Sequence, residues 1–187
     1  MRPFADFSLE LEKISHSISA TSSTSEDELA KVLVTGITHI DSDVQLGDLF
    51  IAIPGAKRHG AEFATNARKQ GAVAVVTDAA GAKLISGIPV LVVSNPRLVA
   101  GRVAALFYGE PMRDLSGVAI TGTNGKTTVS TLLYQIFEAA GRDCGLIGTV
   151  ETRIGSEVIA SKRTTPEATD LQALAAVMKE RHMRHLV

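Results

Sequence analysis

Residues 116–128 read Ser-Gly-Val-Ala-Ile-Thr-Gly-Thr-Asn-Gly-Lys-Thr-Thr, an apolar run feeding a glycine-bracketed loop that ends in Lys-Thr. These residue types suit phosphate. Gly122 and Gly125 permit a tight turn that aims backbone N–H groups at oxygens. Lys126 can reach the β- and γ-phosphates of a nucleotide, and the Thr127 hydroxyl is placed to bind Mg²⁺. A helix beginning here adds its positive end to the same site. The match is to a short variant of the phosphate loop, since the strict pattern has a glycine where this chain has Ile120. A surface turn could carry the same letters, but Lys126 would then oppose the helix dipole with no anion to compensate it.

Two further segments carry chemistry. In Arg163-Thr164-Thr165-Pro166, Thr165 caps a helix that Pro166 opens, and paired hydroxyls at a helix start also suit an anionic or polar ligand. Gly47-Asp48-Leu49-Phe50 followed by Pro54-Gly55-Ala56-Lys57-Arg58-His59-Gly60 reads as a strand between glycine turns, with a Lys-Arg pair that could meet a diphosphate or stand in solvent. The five histidines show no metal-ligand spacing, and Cys144 reads as a small core residue within a strand.

The elements that position these segments alternate. Extended signals at Val32–Thr38, Leu49–Ile53, Ala72–Val76 and Pro89–Val93 are separated by helical ones at Ala61–Gln70 and, more weakly, Ala79–Ile85. Asn95 caps a helix opened by Pro96 and running to Tyr108, and Gly109-Glu110-Pro111 then breaks the pattern, predicting domains at 1–109 and 110–187. Val118–Thr121 is the expected strand into the phosphate loop. Val129, Leu132, Leu133, Ile136, Phe137 and Ala140 recur at helical spacing up to Gly141. A strand at Cys144–Val150, a hairpin around Gly155-Ser156, a helix from Pro166 and a last strand at Met183–Val187 complete the pattern. The expected fold class is α/β with a largely parallel sheet. The tract Ser15–Ser25, eight of whose eleven residues are Ser or Thr, reads as a solvated linker.

Composition narrows the classes. With 45% hydrophobic and 21% charged residues the chain is an ordinary soluble globular protein. Its 19 basic and 20 acidic residues leave a net charge of −1, so neither nucleic acid nor an anionic membrane is expected as a partner. A single cysteine excludes an internal disulfide and suits the cytoplasm, and no signal peptide is evident.

Taken together, the Thr121–Thr128 loop, Thr164-Thr165-Pro166 and the upstream Gly-Asp-Leu-Phe with Pro-Gly resemble the Mur ligases of peptidoglycan synthesis, and within them the tripeptide-forming branch. The resemblance implies a small N-terminal UDP-binding domain followed by the first part of an ATPase domain. It implies ATP and Mg²⁺ as cofactors, and UDP-MurNAc-dipeptide plus a diamino acid, diaminopimelate or lysine, as substrates. Gly122, Thr123, Asn124, Gly125, Lys126, Thr127 and Thr128 would then bind ATP, with Lys126 catalytic and Thr127 on the metal. Thr164 and Thr165 would hold the muramoyl-peptide, and Ala56, Lys57 and Arg58 the UDP end.

The family often has Thr-Leu-Asp-Ser-Arg before Gly-Asp-Leu-Phe, where this chain has Thr38-His39-Ile40-Asp41-Ser42-Asp43. An ungapped count selects Asp41 as the substrate contact and residue type selects Ser42. Arg163 stands where some relatives have asparagine. The family also continues past the last strand into a Glu-Val-Ser-Ser-His segment, a carbamylated lysine and a C-terminal domain. These 187 residues are therefore expected to be inactive alone. Two alternatives stay open, a ligase adding D-Ala-D-Ala and a stand-alone nucleotide-binding module.

Overall fold

A computed structural model describes residues 1–4, 6, 7, 21, 22, 31–161 and 166–187. Thr164, Thr165 and most of the Ser/Thr tract lie outside the described residues. The chain divides into two compact units, Met1–Phe107 and Tyr108–Val187.

In the first unit, strands β1 (Arg2–Pro3) and β3 (Leu33–Val34) form a short antiparallel pair. A five-stranded sheet has the order β2-β7-β6-β5-β4. Its strands β4 (Gly36–Thr38), β5 (Asp48–Ile51), β6 (Ala74–Thr77) and β7 (Val90–Val92) are parallel, and β2 (Thr21–Ser22) pairs antiparallel at the edge. The predicted strand Val32–Thr38 thus divides at Thr35, its halves pairing with different partners.

All four residues of β5 and of β6 are buried, which is why these segments read as unbroken apolar runs rather than alternating ones. The period of two still sorts their side chains. Leu49, Ile51, Ala74 and Val76 pack with Val99 and Val103 of helix α3 (Pro96–Phe107) and with Phe4 and Phe7. Phe50, Ala52 and Val75 pack on the other face with Ala64 and Ala67 of helix α1 (Ala64–Gln70). Helix α2 (Ala79–Ala82) lies on that same second face through Ala82. It is shorter than the helical signal at Ala79–Ile85. Asn95 caps α3 as expected, its Oδ1 accepting the Leu98 N–H at 3.1 Å.

The second unit has a sheet of order β11-β10-β9-β12-β8. Strands β8 (Ser116–Gly117), β9 (Cys144–Ile147) and β12 (His185–Leu186) are parallel. Strands β10 (Glu151–Ile154) and β11 (Glu157–Ala160) form the expected hairpin, turning at Gly155. Helix α4 (Lys126–Ala139) and helix α5 (Ala168–Glu180) contribute to separate cores. Tyr134, Leu133 and Phe137 of α4 join Cys144 and Leu146, whereas Ala175 and Met178 of α5 join Leu115, Ile154 and Leu186.

Three sequence expectations are corrected here. The strand entering the phosphate loop is assigned at Ser116–Gly117, not Val118–Thr121. The last ladder bond on this segment runs from the Val118 N–H to Leu186 O at 2.8 Å, and the residues beyond it have no ladder partner among the described residues. The last helix begins at Ala168 with Glu167 extended before it, so Pro166 precedes the helix rather than opening it. On α4 the apolar residues divide: Leu133 and Phe137 pack inward, but Val129, Leu132 and Ile136 are exposed.

Candidate functional site

The loop expected to hold phosphate is built by backbone conformation. Gly122 has φ +146° and Gly125 has φ +79°, values that L side chains rarely adopt. No crowding demands these glycines, since a Cβ on Gly125 would meet nothing within 4 Å. Gly125 is the N-cap of α4 and offers no side-chain oxygen to its first turn. The opening N–H groups of α4 are therefore left to an external acceptor, and the helix dipole favours an anion.

Lys126 is half-buried and folded over the loop, its Nζ donating to Gly122 O at 2.6 Å and Thr123 O at 3.4 Å. Thr127 and Thr128 are exposed, and Ser130 ties down the first turn by donating to Thr127 O at 3.0 Å. The loop walls a cavity of about 340 Å³ lined by residues 123–128 and by Thr149. Beside it lies a second cavity of about 360 Å³ with a mainly apolar lining that includes Val118, Ile120, Ile147, Leu171 and Leu186. Lys126 and Thr149 line both cavities. Thr149 carried no motif. Its only sequence signal was its place just past a strand of the same parallel sheet, the end at which α/β sheets bind ligands.

The Mg²⁺ expectation can be tested on the donor set. Among the described residues no cluster of three His, Cys, Asp or Glu could hold a metal. Mg²⁺ bound with nucleotide needs only one or two protein oxygens, with phosphates and water filling the octahedron. The exposed Thr127 hydroxyl at the edge of the phosphate cavity fits that requirement.

In the first unit, the other candidate residues follow the carboxyl ends of neighbouring parallel strands, Asp41 and Ser42 after β4 and Ala56–Arg58 after β5. The second segment is a tight loop closed by Gly55 N–H to Arg58 O at 3.0 Å, with Pro54 bridged to His59. Ala56 and Lys57 are exposed at its tip, and among the described residues the Lys57 side chain has no hydrogen bond or ion pair.

Arg58 is already engaged. Its Nε and Nη2 both reach Glu62 Oε2 at 2.9 Å, and its guanidinium lies 4.5 Å from the Phe63 ring centroid. Glu62 also accepts the His59 backbone N–H, and these bonds hold its carboxyl below the ordinary range, the backbone donor first and Arg58 second. Asp41 accepts from Asn66 Nδ2 at 2.7 Å, while among the described residues the Ser42 hydroxyl meets only the adjacent Asp43 carboxylate at 3.2 Å.

Comparison with known proteins gives a consistent picture. Residues 33–113 match the Mur ligase family catalytic domain, and residues 120–187 match the Mur ligase middle domain. A UDP-N-acetylmuramoyl-L-alanyl-D-glutamate–2,6-diaminopimelate ligase of Streptomyces avermitilis is 57% identical over 150 residues, which cover 79% of this chain and 29% of that protein. A UDP-N-acetylmuramyl-tripeptide synthetase of Leifsonia xyli is 45% identical over 84% of this chain and 31% of the relative. The chain thus spans under a third of the length of these relatives. A solved 2,6-diaminopimelate ligase shares the fold with a TM-score of 0.65 at 24% identity, covering 82% of this chain and 31% of the other. The MurF ligase of Thermotoga maritima, solved with ADP, aligns at 0.56 and 20% identity over 83% of this chain and 32% of its own. No helix among the described residues is long and apolar enough to cross a membrane.

Proposed function

The chain belongs to the Mur ligase family, and from that premise we propose that it supplies two domains of an ATP-dependent ligase adding diaminopimelate to UDP-MurNAc-L-Ala-D-Glu. Residues 1–109 are the UDP-binding domain and residues 110–187 the first part of the ATP-binding domain. The observation that carries the reading is the loop cavity, where an uncapped helix start, two positive-φ glycines and the Lys126 ammonium meet around one space of about 340 Å³. Relatives named for 2,6-diaminopimelate support that amino acid over lysine and over the D-Ala-D-Ala dipeptide. The cytoplasm is the setting that nucleotide substrates and a lone reduced cysteine favour.

The reaction is a phosphoryl transfer followed by an acyl transfer. The substrate's terminal carboxylate oxygen bonds to the γ-phosphorus as the bond to the β-bridging oxygen breaks, giving an acyl phosphate and ADP. The incoming amine then bonds to the acyl carbon, phosphate leaves with its electron pair, and the nitrogen gives up a proton. Lys126 neutralises charge on the transferring group, and the N–H groups of residues 126–128 hold the neighbouring oxygens. Thr127 would hold Mg²⁺ through its hydroxyl, and the bound ion would supply further charge neutralisation. Lys57 meets the UDP diphosphate, with Arg58 and Ala56 beside it. Ser42 suits the substrate contact better than Asp41, whose carboxylate is committed to Asn66. Thr164 and Thr165 hold the muramoyl-peptide.

Titration calorimetry tests this directly. The chain should bind Mg²⁺–ATP and UDP-MurNAc-L-Ala-D-Glu. Lys126→Ala should weaken ATP by at least about tenfold, the scale of one charged contact, and spare the UDP ligand. Lys57→Ala should do the reverse. Absence of saturable binding by both ligands overturns the reading. With both substrates and diaminopimelate present, these residues alone should form no amide.

A further inference from the structure

We propose that Thr149 contacts the γ-phosphoryl group, as the hydroxyl counterpart of Lys126 across the mouth of the phosphate cavity. The inference rests on the reading of the loop as an ATP site, and goes beyond it by assigning a residue outside the loop.

Two cavities meet beside the loop. One is bounded by residues 123–128, so it takes the phosphates; the other is mainly apolar and opens beside it. Among the described residues, only Lys126 and Thr149 line both. A phosphate chain lying in the first cavity with its terminal group toward the second would place that group between these two side chains. Lys126 brings charge, and Thr149 brings a neutral donor that can rotate to follow an oxygen as the phosphoryl group moves.

Thr149 is held for such a role. It follows Ile147, the last residue of β9, and its neighbours are pinned on both sides. The Gly148 N–H donates to Glu151 O at 2.9 Å, the Ser161 hydroxyl donates to Gly148 O at 2.7 Å, and the Ser161 N–H donates to Val150 O at 3.0 Å. The Thr149 side chain is half-buried, and its hydroxyl has no hydrogen-bond partner among the described residues. A fixed backbone with an uncommitted hydroxyl in a partly dry wall meets the requirement for a preorganised donor. Threonine also suits a wall between unlike cavities, because one Cβ bears both a methyl and a hydroxyl.

The test compares nucleotides that differ at the γ-position. Binding of Mg²⁺–AMP-PNP and Mg²⁺–ADP is measured by calorimetry on the whole chain and on its Thr149→Val and Thr149→Ser variants. Thr149→Val should lose about tenfold in AMP-PNP affinity and keep its ADP affinity, while Thr149→Ser stays near the parent. Should Thr149→Val lower the melting temperature, Thr149→Ala is read in its place. Unchanged AMP-PNP affinity, or equal losses for both nucleotides, overturns the assignment of Thr149 alone. A parent chain that binds neither nucleotide overturns the ATP-site reading itself, and this assignment with it.

Discussion

His59 Nε2 lies 3.1 Å from Asp78 Oδ1, 19 residues along the chain, while His59 Nδ1 accepts the Ala61 backbone N–H at 3.0 Å. The second bond sets the tautomer, since an accepting Nδ1 leaves the proton on Nε2 to be donated to Asp78. The same Asp78 oxygen accepts the Gly81 N–H at 2.7 Å and so caps α2. One imidazole therefore ties the loop bearing Ala56, Lys57 and Arg58 to the start of α2. Gly81 makes room for it, because a Cβ there would stand 2.5 Å from His59 Cε1.

Replacing His59 by Phe keeps the ring shape but removes both bonds, leaving the part-buried Ala61 N–H unpaired and Asp78 with the Gly81 N–H alone. The expected cost is about 1–3 kcal/mol in urea unfolding of the first unit. His59→Asn can accept from Ala61 and donate toward Asp78, so it should recover much of that loss. Equal destabilisation by Phe and Asn would show that the ring's packing, not its hydrogen bonds, holds the loop.

Gly125→Ala isolates the backbone term in the phosphate loop. The substituted Cβ enters open space, so only the positive φ of +79° opposes it. Forcing an L-residue there costs about 1–2 kcal/mol, and Asn, which tolerates this region, should cost less than Ala. A thermal melt of the three proteins orders them Gly125, Asn, Ala. The reverse order of Asn and Ala would mean that the loop abandons this conformation on substitution.

Local chemistry made much of this legible. Gly-Lys-Thr after an apolar run marked the glycine turn that opens α4, Asn95-Pro96 the start of α3, and Gly155 the hairpin turn. Three- and four-residue periodicity also marked α4 as a helix, yet Val129, Leu132 and Ile136 belong to that pattern as fully as Leu133 and Phe137 do. Which apolar face meets the sheet is a tertiary fact, and the sheet chose the second set. A strand likewise needs a partner as well as propensity, so the ladder stops near Val118 although Ala119 and Ile120 are apolar. Thr149 and the His59–Asp78 clamp join residues far apart in sequence, and no spacing rule reaches them.

Asp48 gives a pH signature. Its carboxylate accepts the Gln45 N–H at 2.8 Å, but burial outweighs that bond and raises its pKa above the ordinary 3.8. The folded chain then holds this proton more tightly than the unfolded one. The resulting stabilisation is fully present below 3.8 and is lost as pH rises through the folded value. Asp48→Asn removes the titration. Relative to that variant, the parent should lose stability on going from strongly acid to neutral pH, read from urea midpoints at several pH values. A difference that grows in the parent's favour with rising pH would mean that the hydrogen bond, not burial, dominates.

Cys144 reports on the opening of the second unit. It is 1% exposed, its thiol donates to Gly145 O at 3.3 Å, and burial, followed by the Glu138 charge, pushes its pKa up to about 11. At pH 8 only about one thiol in a thousand would be thiolate, against roughly a quarter for a free cysteine of pKa about 8.5. Iodoacetamide should therefore label the folded chain at least about a hundredfold more slowly than the urea-unfolded chain. Because labelling requires the second unit to open, a ligand of the phosphate loop should slow it further by mass action. Saturating Mg²⁺–ATP is expected to lower the rate in the parent, and to protect Lys126→Ala at least about tenfold less at the same concentration. Equal protection in both proteins would place the nucleotide somewhere other than the Lys126 loop.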